Sequence, residues 1–104
     1  MHEDGKKQEL EWVFERISQI IAEHMNMNYQ LILFGSRARN DYNARSDIDI
    51  GIISDTRIKP GIMFAMRDEL DIIPTLLNID LVDFGTVSKE FRQVALRNYR
   101  ELVI

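Results

Sequence analysis

The chain contains no cysteine. That excludes a disulfide framework and any thiolate metal site, and it fits a cytoplasmic protein. Histidine is nearly absent too. His2 and His24 are too few and too far apart for a zinc site, so His2 is expected in a polar terminus and His24 on a helix surface. No apolar run approaches the roughly 18 residues a spanning helix needs, and Met1 to Glu11 is polar and charged, unlike a signal peptide; no membrane association is expected. There is no basic excess: 13 basic side chains face 17 acidic ones, for a net charge of −4. This argues against direct binding to nucleic acid, which calls for a basic footprint. Repeats, linkers and low-complexity segments are also missing. With 45% apolar and 29% charged residues in 104, the chain reads as one globular domain, 1–104.

Periodicity assigns the elements. Leu10, Val13, Phe14, Ile17, Ile20, Ile21 and Met25 recur at three- and four-residue steps and predict an amphipathic helix from Lys7 to Met25. Asn26 to Asn28 ends it. Tyr29 to Phe34 is a short strand, continuously apolar and so expected to be buried on both faces. Gly35 and Ser36 break it, and Ser36 is a good N-cap for a helical turn through Asn40. Asp47 to Ile53 is a second strand. Pro60 and Gly61 punctuate a loop before a helix over Ile62 to Ile72, with Met63 and Met66 in its core stripe. A third strand spans Asn78 to Phe84. A last helix follows Ser88, with Phe91, Val94, Ala95 and Leu96 inward, and the apolar tail Leu102 to Ile104 packs onto the domain or a partner. The expected class is α/β (α+β), a small sheet flanked by helices, whose topology periodicity does not fix.

The chemistry gathers between the first two strands. Asp47, Asp49 and Gly51 share one strand face, while Ile48, Ile50 and Ile52 share the other. Two carboxylates side by side repel unless a counter-ion is present. Mg²⁺ suits such a pair, because it takes one or two carboxylates and completes its shell with water and substrate phosphates. Gly51 leaves that face unobstructed. Upstream, the Gly35-Ser36 turn lets backbone N–H groups approach a phosphate, and Arg37 and Arg39 add positive charge.

Gly35-Ser36, ten intervening residues, then Asp47-Ile48-Asp49 resembles the signature of the DNA polymerase β-type nucleotidyltransferase superfamily. The short chain and the Gly-Ser-Arg-Ala-Arg start are most similar to its minimal nucleotidyltransferase (MNT) branch. The motif itself occupies Gly35 to Asp49; the wider likeness runs from the first helix to about Phe84. The resemblance implies the polymerase β-like fold, with Gly35, Ser36, Arg37 and Arg39 on the nucleotide and Asp47 and Asp49 on metal. It also implies a third carboxylate from a later strand, as metal ligand and catalytic group. Asp80 and Asp83 are the candidates, and Asp80 matches the family's Ile/Val-Asp-Leu-Val pattern. MNT relatives usually carry glycine where this chain has Asn40, the non-glycine residue most tolerant of positive φ.

What the resemblance implies functionally is Mg²⁺-dependent nucleotidyl transfer. ATP lies against Gly35-Ser36, an acceptor hydroxyl attacks the α-phosphorus, and pyrophosphate leaves, with two Mg²⁺ ions assisting. The acceptor implied is a tyrosine of a HEPN-domain toxin, whose antitoxin this chain would be, in a hetero-oligomer with the toxin or as a homo-oligomer. Two alternatives stay open: an antitoxin that works by binding alone, and a transferase acting on a small-molecule acceptor.

Overall fold

The computed structural model describes residues 2–39 and 41–102, with side chains from Leu10 onward. Asn40, Val103 and Ile104, on which the sequence reading placed a turn and part of an apolar tail, lie outside them. The helices are α1 (His2–His24), α2 (Pro60–Asp71) and α3 (Lys89–Ala95); the strands are β1 (Tyr29–Phe34), β2 (Ile48–Ser54), β3 (Ile79–Asp83) and β4 (Arg100–Glu101). The sheet order is β3-β2-β1-β4. β1 runs antiparallel to β2 and β4, whereas β2 and β3 are parallel, as the α2 crossover between them allows. This is the small mixed sheet flanked by helices that the resemblance implies.

Both faces of the sheet are covered. On one, Leu31, Leu33, Ile48, Ile50, Ile52 and Leu81 pack against the α1 stripe (Val13, Ile17, Ile20, Ile21) and against Met63, Met66 and Leu70 of α2. The predicted helix stripe and core methionines are therefore where expected. His24, expected on the surface, is half-buried and sits 3.0 Å from Glu69 Oε2, joining α1 to α2. The second face holds a smaller cluster of Ile32, Phe34 and Phe84, with Val82, Ala95 and Leu96 alongside.

Four local expectations change. Gly51 does not open the face of β2 to a ligand. A Cβ there would collide with the ring of Phe84, so the missing side chain makes room for the second core. Pro60 is the first helical residue of α2 rather than a loop residue; its fixed φ and missing N–H suit that position. Ser36 lies inside a 3₁₀ turn over Gly35–Arg37 whose cap position is Phe34, with no side-chain cap. Val94 points outward, 59% exposed, while Ala95 and Leu96 face in. β4 has no counterpart in the sequence reading. Two polar residues carry no strand period, and they pair because Leu102 tucks against the core and donates its N–H to Leu31 O at 2.8 Å.

Candidate active site

The end of β1 turns sharply at Gly35, which has φ +73°. L-residues with a Cβ rarely adopt that conformation. The space a Cβ would need is occupied by the carboxylate of Asp49 on the next strand. Asp49 is the register partner of Phe34 on one side and of Asp80 on the other. Crossing the sheet therefore meets the Gly35 turn, then Asp49, then Asp80. Asp47 stands exposed one residue before β2 begins.

These carboxylates feel one another. The Asp49 carboxyl is held above its ordinary value, first by burial, then by the charges of Asp80 and Asp47 and by hydrogen bonding to Asp80; Arg39 opposes the shift. Among the described residues no three acidic or histidine side chains converge as a ready-made metal cage. An incoming cation must therefore draw further oxygens from substrate and water, which is how Mg²⁺ is usually held. The donor set fits: all-oxygen, locally over-charged, and opposed electrostatically by one guanidinium.

The two arginines separate. Arg37, expected on the nucleotide, is 5% exposed. Its Nε and Nη2 both donate to Ser46 O, at 3.1 and 2.9 Å, and its guanidinium stacks on Tyr42 with Cζ 5.1 Å from the ring centroid. Ser46 closes its own turn with Asn43. On the far side of Asp47, the Ile48 N–H donates to Asn78 O at 2.8 Å. Asp47 is thus pinned on both flanks, and Arg37 serves the site by fixing the loop that carries it. Charge pattern alone does not distinguish a buried guanidinium from a phosphate-facing one. Arg37→Met is expected to accelerate amide hydrogen exchange over residues 41–48 while leaving α1 protected, with a stability loss of about 1.5–3 kcal/mol, the worth of hydrogen bonds to a charged group. Unchanged exchange in that loop would return Arg37 to the phosphate role. Arg39 is exposed and paired with Asp41 at 3.3 Å, a contact weak enough to be exchanged.

Asp83, the other candidate for the third carboxylate, pairs with Ile52 rather than Asp49. It is 5% exposed, and its Oδ1 accepts the Gly85 N–H at 2.9 Å to form the turn after β3. Sequence reasoning missed Arg67, Asp71 and Phe91, which line one cleft with Asp49 and Asp80. Only the fold brings α2 and α3 there; no motif marks them.

A positive-φ glycine turn therefore lies against Asp49, beside Asp80, on one mixed sheet. The chain belongs to the polymerase beta nucleotidyltransferase family, whose model matches residues 15–104. A Haemophilus influenzae relative described as a probable protein adenylyltransferase, MntA, is 26% identical over 96 residues, covering 92% of this chain and 80% of the relative. The fold matches a chain in the structure of a tri-AMPylated Shewanella oneidensis HEPN toxin in complex with MNT antitoxin, with TM-score 0.66, 18% identity, and coverage of 89% of this chain and 71% of that one. It also matches a toxin–antitoxin structure with AMP-PNP, with TM-score 0.68, 20% identity, and coverage of 86% and 72%.

Proposed function

We propose that this protein is a cytoplasmic antitoxin that transfers AMP from ATP to a tyrosine hydroxyl of a HEPN-domain toxin. The observation that carries the reading is the sheet register that sets Asp80 beside Asp49, with the Asp49 carboxylate filling the missing side chain of Gly35. The relative described as an adenylyltransferase and the toxin–antitoxin neighbours support the same reading.

In this reading the Gly35-Ser36 turn presents backbone N–H groups to the triphosphate, since the first N–H groups of a helical turn lack partners within it. Arg39 exchanges Asp41 for a phosphate oxygen. Asp47 and Asp49, with Asp80 beside them, would hold Mg²⁺ together with substrate and water oxygens, and the ion would supply positive charge against the α-phosphate oxygens. Asp80, the outermost of the three, takes the proton of the attacking hydroxyl. The remaining work is positioning.

The test is to incubate the chain with α-labelled ATP, Mg²⁺ and a candidate HEPN-domain toxin, and to locate AMP by mass spectrometry. Labelling on tyrosine is expected. Asp47→Asn is expected to cut it about a hundredfold or more, because each 1.36 kcal/mol of lost charge stabilisation costs a factor of ten. Neutralisation of the toxin in cells by Asp47→Asn at wild-type strength would show that binding, not transfer, silences it.

A further inference from the structure

The nucleotide reading leaves one part of the site unused. A cleft of about 590 Å³ opens beside Asp49 and Asp80; Arg67 and Asp71 of α2 line part of it, and Phe34, Val82 and Phe91 give it an aromatic and aliphatic part. Phe91 comes from α3, far from the Gly-Ser and Asp-x-Asp motif. Its ring stands edge-to-face with Phe34 and Phe84, with centroids 6.0 Å away in each case, and those two rings are 5.3 Å apart. Phe34 and Phe84 are buried, but Phe91 remains 42% exposed. The three rings therefore form a firm base that leaves one aromatic surface available.

The direction of the reaction decides what uses that surface. The strand order places the Gly35 turn, Asp49 and Asp80 in a row. In phosphoryl chemistry the attacking and leaving oxygens lie roughly in line across phosphorus. With the triphosphate against Gly35-Ser36, pyrophosphate departs on that side and the acceptor approaches from the Asp80 side, where this cleft opens. A serine or threonine hydroxyl reaching Asp80 would leave the aromatic wall in contact with water. A phenol would bury its ring on that wall while its oxygen met the carboxylates.

We propose that Phe91 is the residue that selects the acceptor, seating the ring of a partner's tyrosine against Phe91 and Val82 so that the phenolic oxygen reaches Asp80. The proposal rests on the adenylyltransferase reading and adds how the side chain to be modified is chosen. The bond from the phenolic oxygen to the α-phosphorus forms as the α-phosphorus–oxygen bond to pyrophosphate breaks. The phenolic proton passes to the Asp80 carboxylate.

Binding and transfer are measured separately, on the full chain. With Mg²⁺ and AMP-PNP present, an NMR titration with N-acetyl-tyrosinamide is expected to shift the signals of Val82, Phe34 and Phe91, and N-acetyl-serinamide is expected to leave them unmoved. Phe91→Ala and Phe91→Leu weaken the tyrosinamide interaction roughly tenfold and about three- to tenfold, the range expected for an aromatic contact. Phe91→Tyr keeps it. With ATP, the same variants raise KM for the tyrosine acceptor and leave KM for ATP in place. Circular dichroism melting confirms folding, and the leucine variant retains the apolar packing if alanine does not fold. Equal tyrosinamide affinity in wild type and Phe91→Leu, or shifts confined to another surface, would overturn the proposal. Ring-selective binding without AMP transfer by the wild type would instead overturn the adenylyltransferase reading and leave the cleft's preference standing.

Discussion

Replacing Asp49 with asparagine is expected to yield a protein that transfers no AMP and yet melts at a higher temperature. The carboxyl lies partly out of water, beside Asp80 and Asp47, and titrates above the ordinary carboxylate value of 3.8. The folded state therefore holds this proton more tightly than the unfolded chain does. Whatever stability that proton confers is fully present below the ordinary value and is lost as pH rises through the raised one, so at neutral pH the ionised group is a load on the fold. Asparagine is nearly isosteric and carries no charge. Calorimetry at pH 7 should show the variant melting above wild type, by roughly 4–8 °C for every kcal/mol relieved in a domain of this size. The gap should close as pH falls toward the ordinary carboxylate range. A variant that melts lower at pH 7, or a gap independent of pH, contradicts this account. Loss of transfer with gain of stability is the trade-off expected where a strained charge is kept for function.

Gly35→Ala is the second large effect. The alanine must adopt φ +73°, a left-handed conformation that costs L-residues about 1–2 kcal/mol, and its methyl lands on the Asp49 carboxylate. Asp49 is driven from its place between the turn and Asp80, so transfer should fall by about two orders of magnitude or more. The two causes separate in a double-mutant cycle. In an Asp49→Ala background the collision is gone and only the backbone cost remains, so Gly35→Ala should then destabilise less. Equal costs in both backgrounds would mean that the carboxylate does not occupy the glycine's empty side.

The sequence discloses what local pattern can encode. The α1 stripe, the apolar run of β1 buried on both faces, the isoleucine face of β2, and the break at Gly35 all follow from side-chain period or from one residue's conformational freedom. Its silences are tertiary. Arg37 reads as a phosphate ligand because a cation beside a Gly-Ser turn suits that role, and only the path of the loop shows that its Nε and Nη2 donate to Ser46 O. Gly51 reads as a vacancy for substrate until Phe84, from beyond β3, is seen to fill it. Phe91 has helical spacing and so reads as core; its exposed flank follows from the way α3 rests on two other rings. β4 exists through pairing alone.

The parallel pairing of β2 with β3 has a consequence for how the molecule comes to life. Asp49 and Asp80 become neighbours only after α2 has formed and carried the chain back across the sheet. Such long-range parallel contacts are among the slow steps of folding, because the chain must close a wide loop before any reward is gained. The hairpin of β1 and β2 is the more local pairing and brings Asp49 against Gly35, but the candidate site stays unfinished until β3 joins. In the proposed reading, a chain in which β3 has not yet joined lacks the Asp49–Asp80 pair and is expected to transfer nothing.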